Sequence, residues 1–259
     1  NSHTLSLRDT VDQLTNPANA GALAIDGIVV TVADTAANVL AAAANATIRA
    51  ARAVALTASA TLSLAQLLTL ESWASFTAVG ATLTLQDSAA NLLALTPAAA
   101  RPALTVFHLG SNSAVTAAQA ITLQAMSHFA INNGVTLTVT DTLANIAGSA
   151  TALSGLLATT GIAVNFADSL ANLLSQAGSL QWSKYPGVSV TLAGNGQTTA
   201  ANLVILEALS NFSVAIGKAL AIADTVQYLT ALGVGQAAVA SSLSLKANDT
   251  ATAAQLAIL

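Results

Sequence analysis

The chain has 259 residues, of which 54% are hydrophobic and only 7% charged, with a formal net charge of −4. Its apolar share is carried largely by Ala and contains no run of 18 apolar residues that could span a bilayer. The seven Lys and Arg are scattered rather than clustered, which excludes the basic footprint of a nucleic-acid binder. With no cysteine, disulfides and thiolate metal sites are also excluded, and so rich an apolar composition argues against disorder.

Residues 1–3, Asn1-Ser2-His3, read as a tag remnant or the start of a fragment, and residues 4–259 as a single repeat solenoid cut from a longer protein. A Ser or Thr followed three residues later by Asn, Gln or once Tyr, then by an apolar residue, occurs ten times. These anchors are Thr10, Thr35, Ser63, Ser88, Thr116, Thr142, Ser169, Thr199, Thr225 and Thr252. Self-similarity at intervals of about 25 to 30 residues signals a stacked array rather than a globule.

A hydroxyl three residues ahead of an amide is a capping-box arrangement, so every anchor predicts the start of a short helix. Stretches ahead of the anchors alternate apolar and polar residues, as in Leu83-Thr84-Leu85, Leu137-Thr138-Val139 and Val164-Asn165-Phe166. Period two predicts strands. First-type repeats run from the strand directly into Asp9, Asp34, Asp87, Asp141, Asp168 or Asp224. Second-type repeats carry an apolar pair (Val54/Leu56, Phe107/Leu109, Val190/Leu192, Leu243/Leu245), and a polar or Gly-bearing turn follows it.

In chain order, residues 4–24 form the first repeat, its helix cut short by Asn16-Pro17 and Gly21. One Ala-rich helix is expected from Thr35 to Arg49, with Arg49 and Arg52 solvated. The fourth repeat ends at Pro97 and the Arg101-Pro102 break. Asn132-Asn133-Gly134 predicts a tight turn, and the loop around Trp182-Ser183-Lys184-Tyr185-Pro186 departs furthest from the repeat. The expected fold is an α/β repeat solenoid: about ten strand-turn-helix coils of ~27 residues, with parallel strands. It would be elongated, and right-handed by the crossover rule.

Candidate chemistry is sparse. Asp34, Asp87, Asp141 and Asp168 could line up to bind Ca²⁺, but their place beside helix starts favours capping of amides. The polar pairs Thr35/Asn38, Ser88/Asn91, Thr142/Asn145 and Ser169/Asn172 are assigned a structural role in the same caps. Glu71 and Glu207 hold the same repeat position, but five strand spacings would put them roughly 24 Å apart, too far for an acid and base pair. His108 and His128 lack a metal-ligand spacing and are expected at a strand edge and a helix end. Phe76, Phe129 and Phe212 are expected to fill corners between helix and next strand. Trp182, Tyr185 and Trp73 fall outside the recurrent pattern and are the candidate ligand-binding residues. No nucleophile elbow or phosphate loop occurs, so no catalytic residue is assigned.

The text Val32 to Val39, Leu85 to Leu92, Val139 to Ile146 and Phe166 to Leu173, together with Leu62 to Leu67, Val115 to Ala120 and Thr198 to Leu203, resembles known tandem repeats. These are the repeats of very large secreted and surface proteins of Gram-negative bacteria, often adhesin-like and many of them type I secreted. The resemblance implies an extracellular or cell-surface location and a role in adhesion, matrix or spacing, without catalysis. It carries no functional residue over, because the shared motif is scaffold. The expected partners are further copies, through the open strand edges at the solenoid ends, or a cell-surface or matrix polysaccharide. The alternative to the structural role is a polysaccharide-binding module on the same scaffold.

Overall fold

The computed structural model describes residues 4–95, 104–178 and 181–259. The opening Asn1-Ser2-His3 and the break at Pro97 and Arg101-Pro102 lie outside the described residues. The chain divides into two compact units, 1–113 with 122–135 and 114–121 with 136–259.

The first unit begins with β1 (Ser6–Asp9), α1 (Val11–Thr15), α2 (Ala20–Leu23), β2 (Val29–Asp34), α3 (Ala36–Ala41) and α4 (Ala46–Ala50). It continues with β3 (Ala53–Leu56), β4 (Ala60–Leu62), α5 (Leu64–Glu71), β5 (Ser75–Thr77), β6 (Leu83–Asp87) and α6 (Ala89–Leu93). Next come β7 (Leu104–Leu109), β8 (Ser113–Val115) and α7 (Ala117–Gln124), along which the chain crosses between the units, and β9 (Phe129–Ile131). The second unit follows with β10 (Leu137–Asp141), α8 (Leu143–Leu157), β11 (Ile162–Asp168) and α9 (Leu170–Gln176). It ends with β12 (Ser189–Leu192), β13 (Gly196–Thr198), α10 (Ala200–Glu207), β14 (Phe212–Val214), β15 (Leu220–Asp224), α11 (Val226–Thr230), α12 (Val234–Val239), β16 (Ser242–Leu245) and α13 (Ala253–Ile258).

The result is an α/β fold with parallel sheets. Their strand orders are β1-β2-β3-β5, β4-β6-β7-β9, β8-β10-β11-β12-β14 and β13-β15-β16, and the recorded registers are parallel. Alternation decides which side chains enter the core. Along β11, Ile162, Val164, Phe166 and Asp168 are buried while Ala163, Asn165 and Ala167 are half-buried. Helices return over the apolar face, with Leu67 and Leu70 of α5, Ile146 and Leu153 of α8, and Leu203 and Leu206 of α10 buried beneath them. Each such Leu or Ile contributes roughly 1.5–3 kcal/mol through burial.

The two repeat types have distinct structural meanings. In three of the four second-type repeats the strand is split, and its halves belong to different sheets. β3 and β4, β7 and β8, and β12 and β13 each hand the chain from one sheet to the next. The Phe residues do not fill corners: Phe76 lies within β5, and Phe129 and Phe212 open β9 and β14, the last strands of three of the sheets. They sit opposite Val54, Phe107 and Val190 and are half-buried, because a terminal strand has a neighbour on one side only.

Two further expectations change locally. The Ala-rich stretch after Thr35 is not one helix, since Asn45 caps a second start: its Oδ1 accepts from Thr47 N–H (2.9 Å) and Ile48 N–H (3.4 Å), a side-chain bond that competes with continuing the first helix. His108 is not at an edge, because β7 is flanked by β6 and β9. The turn expected at Asn132-Asn133-Gly134 is present, with Gly134 at φ +78° and Val135 N–H donating to Asn132 O at 3.0 Å.

Candidate functional site

The most recurrent polar arrangement is the aspartate that ends each first-type strand. Backbone alternation turns its side chain inward, and the helix that follows places donors around it. At Asp34, Asp87, Asp141 and Asp168, Oδ1 accepts the next residue's N–H at 2.7–2.8 Å. The same oxygen accepts Nδ2–H of Asn38, Asn91, Asn145 or Asn172 at 2.7–2.8 Å.

The second oxygen reaches backward. Asp34 Oδ2 accepts the N–H of Val11 at 3.0 Å, Asp87 that of Leu64 at 2.8 Å, Asp141 that of Ala117 at 3.1 Å and Asp168 that of Leu143 at 3.0 Å. Asp224 does the same for Ala200 at 3.0 Å. In all five cases the donor is the first residue of the preceding repeat's helix. First-turn amides have no partner inside their own helix, so one carboxylate closes its own helix start and satisfies an orphan donor 23 to 25 residues earlier. It acts as a staple between successive repeats.

This geometry redefines the Asn column. In a capping box the side chain at the third helical position returns to the cap's own N–H. Among the described residues Gln side chains make this bond, as Gln66 Oε1 on Ser63 N–H (2.8 Å), Gln119 on Thr116 (2.9 Å) and Gln255 on Thr252 (2.9 Å). Asn is one methylene shorter. The aspartate takes the cap amide instead, and Asn38, Asn91, Asn145 and Asn172 hold the aspartate in place. The hydroxyls of Thr35, Ser88, Thr142 and Ser169 keep their expected role, each accepting the N–H three residues on at 3.2–3.3 Å.

Burial pushes the Asp34 carboxyl upward, but the Val11 and Thr35 amides and the Asn38 side chain outweigh it and hold the group below the ordinary carboxylate range. The same balance lowers Asp87 through Leu64, Asn91 and Ser88, and Asp141 through Asn145, Thr142 and Ala117. These oxygens are occupied by N–H donors, which is the wrong environment for a cation. Among the described residues no three His, Asp or Glu side chains come together as a metal group.

Second-type repeats place a different residue over the preceding helix start, three positions before the anchor. Asp249 fills this place and accepts Val226 N–H at 2.8 Å, while Ser113 Oγ accepts Ala89 N–H at 3.3 Å. Both escape a search for Asp immediately before the anchor; the signal that finds them is the 23- or 24-residue offset. Ala60 and Gly196 occupy the equivalent place and carry no acceptor. At Gly196 the reason is steric, since a Cβ would lie 2.8 Å from Leu170 Cδ2.

The aromatic candidates point into the fold. Trp73 is buried, 8% exposed, and its indole N–H donates to Ile48 O at 3.0 Å in the preceding repeat. It borders a hollow of about 410 Å³ with Arg49 and Thr69. Trp182 and Tyr185, both half-buried, meet Phe166 edge-on with centroids 5.2 and 4.9 Å apart, and Phe166 has no exposed surface. The individual loop therefore packs two aromatic side chains against the core at β11. Glu71 and Glu207 end α5 and α10, and His128 lies beyond α7 in the left-handed region at φ +51°.

Compared with known proteins, the chain matches no family model, no curated protein and no solved structure. No helix among the described residues is long and apolar enough to cross a membrane.

Proposed function

We propose that the chain is a structural repeat segment of a bacterial secreted or cell-surface protein, serving as a stalk, adhesin or extracellular matrix component rather than as a catalyst. The repeats form a solenoid of about ten strand-turn-helix coils of ~27 residues, with right-handed crossovers between parallel strands. One observation supports this most: the recurring Asp, Ser and Thr side chains accept from backbone amides of their own or the preceding repeat, and the Asn side chains donate to those aspartates. A repeat that serves an extended ligand presents its recurrent polar column outward; this one turns it into the joints.

The role is mechanical: identical joints in series carry load along successive repeats. The test is binding of the labelled chain to a broad glycan array, with Ca²⁺ and with EDTA. The structural reading expects no selective signal in either buffer. A selective, saturable glycan signal would overturn it in favour of a polysaccharide-binding module.

A further inference from the structure

The sequence contains two Asn-Gly pairs, Asn133-Gly134 and Asn195-Gly196. Both asparagines are exposed, so access to water does not separate them. Their backbones do. Gly196 opens β13, where its N–H donates to Ala219 O at 2.9 Å and its register partner is Leu220 of β15. Asn195 Oδ1 is held as well, accepting Ala219 N–H at 2.9 Å. The glycine nitrogen and the asparagine side chain of this pair are thus both tied to the stretch entering the neighbouring strand.

Asn133-Gly134 instead forms the tip of the turn after β9. Val135 N–H closes that turn on Asn132 O at 3.0 Å, and Gly134 takes φ +78°, the left-handed value that the third residue of such a turn requires. The base is fixed, since Asn132 N–H donates to Leu109 O at 3.2 Å. The tip is not: among the described residues neither the Gly134 N–H nor the Asn133 side chain has a hydrogen-bond partner. Nothing lies within 4 Å of the place that a Cβ on Gly134 would take, so solvent reaches the glycine nitrogen and its neighbour together.

We propose that Asn133 is a self-modification site, which the folded chain converts to aspartate or isoaspartate in preference to Asn195. The Gly134 nitrogen gives its proton to solvent and attacks Cγ of Asn133; the N–Cγ bond forms and the side-chain nitrogen leaves as ammonia. Glycine suits the step because no side chain shields its nitrogen. Water then opens the resulting succinimide ring. Cleavage at the Cγ carbonyl leaves aspartate with the main chain unchanged, whereas cleavage at the α-carbonyl routes the main chain through the side chain as isoaspartate. Water is the only co-reactant. Either product adds a negative charge to a chain whose formal net charge is −4. Aspartate fits this turn, because Asp26 holds the same place between Ile25 and Ile28, where Ile28 N–H meets Ile25 O at 3.3 Å and Gly27 lies at φ +76°. Isoaspartate adds a methylene to the main chain inside the turn that leads into β10. At Asn195 the ladder bond and the side-chain bond must both open before the ring can close, which slows that pair by about tenfold or more.

The experiment is incubation of the full chain in mildly alkaline buffer, folded and in concentrated guanidinium. Peptide mass spectrometry follows the mass gain of amide-to-acid conversion at each pair, and enzymatic methylation of isoaspartate identifies the rearranged product. In the folded chain Asn133 should convert about tenfold or more faster than Asn195, with isoaspartate found in its peptide. In guanidinium the two pairs should convert at similar rates, because the ladder that protects Gly196 is gone. Asn133→Gln, whose longer side chain must close a larger and slower-forming ring, should abolish the gain at this turn while circular dichroism and melting stay unchanged. Three results would each overturn the proposal: an Asn133 that stays intact in the folded chain while it converts in guanidinium, equal folded rates at the two pairs, or a preference for Asn133 that survives unfolding and so owes nothing to the turn.

Discussion

The carboxylate of Asp168 accepts the backbone N–H of Leu143, 25 residues earlier, at 3.0 Å, and the N–H of Ser169, its own neighbour, at 2.7 Å. One side chain thereby finishes two helices in successive repeats. Its third bond, from Asn172 Nδ2 at 2.7 Å, fixes the carboxylate rotamer that makes both possible.

Replacing Asp168 with Ala leaves those three donors without their acceptor in a place where the aspartate is only 5% exposed. The expected cost is about 3 kcal/mol, since hydrogen bonds to a charged group contribute roughly 1.5–3 kcal/mol and abandoned buried donors add to the loss. Asn145→Leu, which removes only the brace on Asp141, should cost about 1 kcal/mol. Urea unfolding of both variants checks the order; equal and negligible losses would contradict the staple.

Ala60 and Gly196 occupy equivalent places without an acceptor, and their substitutions should differ in sign. Ala60→Asp extends into a hollow of about 230 Å³ lined by Thr35, Ala36 and Gln66. There it can reach the Ala36 amide, as Asp249 reaches Val226, with an expected gain of about 1 kcal/mol. Gly196→Asp forces a Cβ to 2.8 Å from Leu170 Cδ2 and should destabilise by about 1–3 kcal/mol through overpacking. Paired thermal melts decide this; the same sign for both would be contrary to the account.

The strand-turn-helix period was legible in the sequence because caps and alternation sit at fixed offsets from each anchor, and each has a local cause. The sheet handover was not. Thr57-Ala58-Ser59 looks like any polar turn, and nothing in it says that β3 and β4 will pair with strands of different sheets. The Asn column misled for a geometric reason: spacing identifies a capping box, but only a side chain as long as Gln closes one, and the partner of Asn is the aspartate four residues back. Trp73 was not legible as a core residue because its hydrogen-bond partner, Ile48 O, lies 25 residues earlier. Asp249 went unread for the same kind of reason, its partner Val226 being 23 residues away.

Acid should loosen the structure at these joints first. The carboxyls of Asp34, Asp87 and Asp141 titrate below their unfolded value of 3.8, so the unfolded chain takes up protons before the folded one does. The stability they confer is fully present above about pH 4 and is lost as pH falls through their folded values. Melting temperature followed from pH 6 to pH 2 should hold steady and then drop below about pH 4; a drop centred near neutrality would assign the transition to other groups.

The loop around Trp182 should matter for stability and not for ligand capture. Trp182→Ala removes one of two edge contacts on Phe166, and a paired aromatic contributes about 0.5–1.5 kcal/mol beyond its buried area. A loss of about 2–4 kcal/mol in urea unfolding, with an unchanged blank glycan array, is the expected outcome. Unchanged stability would return Trp182 to the surface as a binding residue.

The most direct test of the staple is residue-resolved amide hydrogen exchange across the first helical positions, which the fold itself divides into two classes. Val11, Leu64, Ala117, Leu143, Ala200 and Val226 donate to an aspartate of the next repeat. Ala36 and Leu170 face Ala60 and Gly196, which offer no side-chain acceptor. The account predicts slow exchange in the first class, fast exchange at Ala36 and Leu170, and loss of protection at Leu143 in Asp168→Ala while Leu64 keeps its own. Equal exchange in the two classes, or a Leu143 amide indifferent to Asp168, would contradict it.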